Sequence, residues 1–241
     1  MTRLIVLLGS VIFLGLIAVI YFEFGYIRFN YPDREEYPIR GIDISHHQDI
    51  IDWDVLKRSD LDFAFIKATE GGDHKDTQFR RNWERAGDIG LIRGAYHFFT
   101  FCKPGHEQAL NFIQSVPVDK NALPPAIDLE FGGNCKARPS KEEVQQEINV
   151  FAKLVEQRYG KTPIIYTTND SYIAFLEGEN LGYPIWIRDI YSEPKLPDGA
   201  KWDFWQFANR GRLHGINGFV DLNVYNGSSE EFQNFISFRA Q

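Results

Sequence analysis

Five times along this chain a short apolar run that reads as a β-strand is followed by a segment that reads as a helix. Three more strands then follow with little helix between them. The units are Gly41–Ser45 before a helix opening at Trp53, Phe63–Thr69 before residues 78–85, Arg93–Phe99 before residues 106–115, Pro124–Glu130 before residues 140–160, and Pro163–Thr167 before residues 171–176; the closing strands are Pro184–Ile187, Phe204–Phe207 and Val220–Asn223. The helix after Pro124–Glu130 is the best marked: Ser140 and Glu143 form a capping box, Val144, Ile148, Phe151 and Val155 form one apolar stripe, and Gly160 closes it. Alternation of this kind predicts an α/β fold, a barrel of parallel strands that finishes irregularly.

Such a barrel places its chemistry at the C-terminal ends of its strands. Those ends carry Asp43, Lys67 with Glu70, Tyr96 with His97, Asp128 with Glu130, Tyr166, Trp186, Gln206 and Asp221. Residues i and i+2 of a strand share a face, so Asp128 and Glu130 are expected to look into one cleft while Leu129 turns into packing. Two carboxyl groups held that close do not ionise freely, and one is pushed toward carrying a proton near neutrality. A glycosidase needs that equipment, because one carboxyl protonates the leaving oxygen while another group handles the sugar cation. Aromatic faces stack on sugar rings and acids bond their hydroxyls, so the rim reads as a saccharide cleft. The 241 residues carry a net charge of -7, from 26 basic and 33 acidic side chains with no basic run. That balance gives no electrostatic footprint for nucleic acid.

Ahead of the barrel, residues 4–22 are all apolar, glycine or one serine, about the length that crosses a bilayer as a helix. Residues 1–22 are therefore expected to form an uncleaved signal anchor, a transmembrane helix; cleavage would release the protein instead. Arg3 precedes the stretch and Arg28, Arg34 and Arg40 follow it, so flanking charge does not fix its orientation. Residues 23–39, with two Tyr-Pro pairs and no periodic face, read as a tether able to reach about 50 Å when extended. The barrel is expected over residues 40–241.

Gly41-Ile42-Asp43-Ile44-Ser45 with Gln48, Ile66-Lys67-Ala68-Thr69-Glu70-Gly71, Gly94-Ala95-Tyr96-His97-Phe98, Asp128-Leu129-Glu130, Ile165-Tyr166-Thr167, Trp205-Gln206-Phe207 and Val220-Asp221-Leu222-Asn223 stand in one order. Together they resemble glycoside hydrolase family 25, the muramidase type of lysozyme, from Arg40 to the C-terminus. The resemblance implies an irregular (β/α)5(β)3 TIM-like barrel that cuts the β-1,4 bond after N-acetylmuramic acid in peptidoglycan. It implies Glu130 as general acid, Asp128 supporting the substrate's acetamido group, and Asp43 and Asp221 completing a ring of four carboxyls. Substrate-assisted retention is favoured over inversion, since same-face neighbours serve one side of a sugar together. One departure stands out: where the family usually continues with a small residue after the Trp186 strand, this chain has Arg188-Asp189, expected near the cleft mouth.

The substrate contacts expected are Tyr96, His97, Tyr166, Trp186, Gln206 and Lys67. His97 reads equally well as a satisfied core histidine, and Lys67 as a buried partner for Asp43 or Asp128. His46-His47 has no ligand partner at metal spacing and reads as a loop cap or a cleft hydrogen bond, so neither metal nor cofactor is expected. The run from Phe98 to Phe101 reads as packing. Cys102 and Cys135, the only cysteines, are either two separate buried thiols or a disulfide above the rim; the bond would close 34 residues, contribute about 3 kcal/mol and place the barrel outside the cytoplasm. Expected partners are peptidoglycan strands, and the membrane through the N-terminal helix, with the protein acting as a monomer. Two other functions fit the same cleft: a catalytically silent peptidoglycan-binding module, and a hydrolase of another N-acetylhexosamine polymer such as chitin. Four clustered acids argue against a module that needs affinity alone.

Overall fold

A computed structural model describes residues 2–27, 30–132, 135–179 and 181–237, without the side chains of residues 2–6 and 8. Arg28 and the side chain of Arg3 lie outside the described residues. In chain order the elements are α1 (Thr2–Glu23), β1 (Arg40–Ile44), α2 (Trp53–Leu56), β2 (Phe63–Glu70), β3 (His74–Lys75), α3 (Phe79–Asp88), β4 (Ile92–Phe98), α4 (Gly105–Ser115), β5 (Ala126–Leu129), α5 (Lys141–Tyr159), β6 (Ile164–Thr168), α6 (Asn169–Phe175), β7 (Ile185–Arg188), β8 (Phe204–Gly211), β9 (Val220–Tyr225) and α7 (Ser229–Ser237). All strands but the short β3 close into a ring of eight, β1-β2-β4-β5-β6-β7-β8-β9 and back to β1. The pairs from β1 round to β8 are parallel, while β9 runs antiparallel to both its neighbours. This is the TIM-like barrel with an irregular finish that the strand and helix rhythm predicts.

Alternation along the strands sorts the side chains into two layers. Phe63, Phe65, Tyr166, Trp186, Phe204 and Tyr225 fill the inside of the ring, with Phe232 and Ile236 of α7 in the same cluster. A Cβ at Gly41 or Gly94 would run into the ring of Phe63 or Phe65, so two glycines make room for the rings that fill the barrel. Outside, Ile42, Ile44, Ile66, Ile127, Leu129, Ile165 and Ile187 pack with the helix residues Phe112, Ile148, Phe151 and Val155. The expected capping box holds α5 in place: the Ser140 hydroxyl accepts from the Glu143 N–H, the Glu143 carboxylate accepts from the Ser140 N–H, and Gly160 closes the helix with φ of 68°.

The segment before β1 does not stand free. Asn30 donates to the Phe207 carbonyl at 2.8 Å, Tyr31 packs edge-on to Phe207, and Tyr37 stacks on Trp202 and meets Trp205. The Arg40 guanidinium reaches back to the Pro32 carbonyl at 2.8 Å and lies over the Tyr31 ring. Residues 30–37 are thus a strap along the outer face of β8, a strand with no helix after it, and Ile39 enters the inner cluster; residues 30–39 are not the extended tether their composition suggests. At the upstream end, Arg210 pairs with Glu23 and Arg212 donates to the Phe24 carbonyl at 2.6 Å. Among the described residues no helix is long and apolar enough to cross a membrane, so the fold does not itself assign the spanning role expected of residues 4–22. Most described apolar side chains of α1, among them Val11, Phe13, Leu16 and Val19, are exposed.

Candidate active site

At the C-terminal ends of the parallel strands the inward positions surround a cleft of about 350 Å³ lined by acids, aromatics and two cations, a volume within the range of small-ligand pockets. Asp43 comes from β1, Lys67 from β2, Tyr96 and Phe98 from β4, Asp128 from β5 with Glu130 just past its end, Tyr166 from β6, Trp186 and Arg188 from β7, Gln206 from β8 and Asp221 from β9. Because β9 is antiparallel, Asp221 near its start lies directly across from Asp43 near the end of β1. All four expected carboxyls therefore share one cleft.

Asp43 is the most firmly held. Its Oδ2 accepts from the Gln206 amide and from the Asn223 amide, each at 2.8 Å. Those amides are oriented in turn: the Tyr166 hydroxyl donates to Gln206 Oε1 at 3.1 Å, and the Trp186 indole N–H donates to Asn223 Oδ1 at 2.8 Å. Asp221 also bonds Asp43. Burial, the negative charge of Asp43 and that bond push the Asp221 pKa well above the usual carboxylate range, which makes Asp221 the proton donor of the pair. Burial raises Asp43 as well, against the pull of its three hydrogen bonds.

Asp128 is held differently. Its Oδ1 is buried with no hydrogen-bond partner among the described residues, and burial, followed by the neighbouring charge of Glu130, pushes its pKa well up. Glu130 is raised by burial, while Arg188 pulls it back down. Both groups thus bind a proton more tightly than an exposed acid does, the condition a general acid requires.

Three expectations need correction. His97 is fully buried on the outer side of β4, its Nδ1 with the Thr69 hydroxyl at 2.7 Å and its Nε2 with Gln108 at 3.1 Å, against the Phe151 ring. It is a core residue and not a substrate contact: Tyr96 and Phe98 take the inward positions and His97 between them must point out. Burial lowers its pKa to about 4. Lys67 lines the cleft but pairs with Glu70 at 2.8 Å, not with Asp43 or Asp128. Within the run from Phe98 to Phe101, Phe99 is packing as expected, but Phe98 lines the cleft beneath the Lys67 ammonium.

Tyr96, Tyr166, Trp186 and Gln206 line the cleft as expected, although the Tyr166, Trp186 and Gln206 polar groups bond within the floor. Arg188 reaches the cleft, whereas the Asp189 carboxylate accepts the N–H groups of Tyr191 and Ser192 and shapes the turn behind it. His47 lines the cleft, and His46 pairs with Asp76 at 2.7 Å. Ser45 and Asn209 also line the cleft and Asn223 bonds Asp43, roles that the sequence pattern alone does not assign. For Asn223 the signal was there, since it stands two residues from Asp221 on the same face. Cys102 and Cys135 are bonded, with S–S of 2.06 Å, joining the loops that follow β4 and β5 beside the cleft.

A barrel of this topology with paired, proton-retaining acids in an aromatic cleft defines a hydrolase of glycosidic bonds. The family model described as glycosyl hydrolases family 25 matches residues 42–216. The uncharacterized protein YegX of Escherichia coli strain K12 is 42% identical over 205 residues, covering 83% of this chain and 74% of its own length. Lysozyme M1 of Streptomyces globisporus is 35% identical over 203 residues, 79% of this chain and 69% of its own. A solved family 25 glycosyl hydrolase from Bacillus anthracis superimposes with a TM-score of 0.82 at 41% identity, over 88% of this chain and 98% of that one. The protein belongs to glycosyl hydrolase family 25.

Proposed function

We propose that the protein is a peptidoglycan muramidase, cleaving the β-1,4 bond between N-acetylmuramic acid and N-acetylglucosamine. The observation that carries the reading is the pairing of Glu130 with Asp128, whose buried Oδ1 has no donor among the described residues. In this reading Glu130 gives its proton to the leaving oxygen. Asp128 accepts the acetamido N–H of the substrate, orienting that group's oxygen toward the anomeric carbon and supporting the charge that develops on it. Asp43 and Asp221 hold the far side of the ring, and Tyr96, Phe98 and Trp186 supply apolar walls. Relatives named as lysozymes support the substrate class.

The test is digestion of purified peptidoglycan by the full chain and by Glu130→Gln, followed by identification of the sugar at each new reducing end. Reducing muramic acid from the wild type and almost none from the variant is the expected outcome. Reducing glucosamine would move the cut to the other bond, and binding without release would leave only a glycan-binding module.

The same reading puts the barrel outside the cytoplasmic membrane, where its substrate lies, and casts α1 as a signal anchor. The apolar stretch of residues 4–22, the exposed side chains of α1 and the disulfide support this placement. Sedimentation with membranes after an alkaline wash, combined with protease access to the barrel in cells with permeable walls, tests it. A wash-released or protease-shielded protein would refute it.

A further inference from the structure

Two cations line the cleft. Lys67 is already engaged, bonded to Glu70 and resting over Phe98. Arg188 has no hydrogen bond or ion pair among the described residues, yet it stands on the inward face of β7, in register with Gln206 of β8 and Thr168 of β6. Its charge acts through space on Glu130, Asp43 and Asp221. A free guanidinium half-buried beside reacting groups is a fork of donors without an acceptor. The cleft around it carries four carboxyl groups, and its other cation, Lys67, already has the Glu70 carboxylate, so an anionic substituent entering there finds its uncommitted positive charge at Arg188.

We infer that Arg188 is a specificity-determining residue that takes a carboxylate substituent of the glycan in a two-pronged pair next to the scissile bond. The inference rests on the muramidase reading and deepens it. A neutral N-acetylhexosamine polymer offers no such group. In peptidoglycan the carboxylate comes either from the lactyl ether of muramic acid, where no peptide is attached, or from the peptide stem that otherwise caps it. Both sources present the planar oxygen pair that a guanidinium matches.

The experiment compares the full chain with Arg188→Gln and Arg188→Lys on three glycans: stem-free strands with free lactyl carboxylates, the same strands with those carboxylates converted to methylamides, and stem-bearing strands. A bond to a charged group is worth about 1.5–3 kcal/mol, so Arg188→Gln should raise KM about 10- to 100-fold on a carboxylate glycan. The loss on the methylamide strands should be at least about tenfold smaller, which also reports that the variant is folded. Arg188→Lys should recover part of the loss, because it restores the charge without the fork. A loss confined to stem-free strands names the lactyl group, and one confined to stem-bearing strands names the peptide. Removing Arg188 also lets Glu130 hold its proton to higher pH on every substrate, so the alkaline limb of the rate profile should move upward equally for all three. Equal KM losses on free and methylamide strands, with no loss confined to stem-bearing ones, would overturn the inference and leave Arg188 as a tuner of the carboxyl ring. Failure of the wild type to release muramic reducing ends from any strand would instead overturn the muramidase reading itself.

Discussion

The four carboxyl groups of the cleft form two pairs, and the two are held in opposite ways. Across β1 and β9, Asp43 accepts from two amides whose other ends are fixed by Tyr166 and Trp186, and Asp221 closes against it. On β5, Asp128 keeps a buried oxygen without a donor, and Glu130 makes no hydrogen bond among the described residues. A satisfied buried network fixes one geometry, whereas an unsatisfied buried acid raises the energy of the resting protein and has unused bonding capacity for a ligand. The comparison separates a side that builds the cleft from a side that reacts in it.

The strongest way to break that division is at Glu130. Glu130→Gln should lower kcat about 1000-fold with KM little changed, since a general acid acts only in the transition state; reducing-end release at saturating glycan measures it. A loss below tenfold would move the acid elsewhere in the ring. Next is Asp43→Ala, which strands two buried amide donors and should cost about 3 kcal/mol of stability, read from denaturant unfolding. Asp128→Asn provides the contrast: about a 100-fold loss in kcat, with stability equal to or above that of the wild type because a costly buried charge is gone. Were Asp128→Asn to destabilise as much as Asp43→Ala, the two pairs would be alike after all.

The smallest effect lies in pH. A carboxyl that binds its proton more tightly folded than unfolded lends stability below the ordinary carboxylate range, and that stability is lost as pH rises through its folded pKa. Asp128 is such a group. The melting temperatures of the wild type and Asp128→Asn should therefore nearly coincide near about pH 4 and separate toward about pH 8, with the variant higher. A constant difference across that range would mean that Asp128 titrates as an ordinary surface acid.

How far the sequence foretells this site depends on how local each feature is. The barrel, the inward Asp128 and Glu130 and the strand-end residues follow from period two and the strand and helix rhythm. His97 obeys the same period, which selects its core reading over the substrate contact that its neighbour Tyr96 suggests. The proton-sharing of Asp43 with Asp221 needs the antiparallel register of β9, which no local pattern announces. Arg188 stands out as a departure, but that no described residue bonds it emerges only from the placement of the nearby acids. The packing of residues 30–39 was out of reach, because their partners lie on a distant strand.

That last arrangement bears on the order in which the protein is made. Residue 30 bonds to residue 207, a separation of 177 positions. The strap leaves the ribosome well before the wall it covers. Until β8 arrives, Tyr31 and Tyr37 lack Phe207 and Trp205 to pack against, so the strap cannot take its final place as the chain emerges. Closure of the ring awaits β8 and β9, and a ribosome stalled before β8 would hold an unfinished ring and an uncovered strap exposed to whatever chaperone is near.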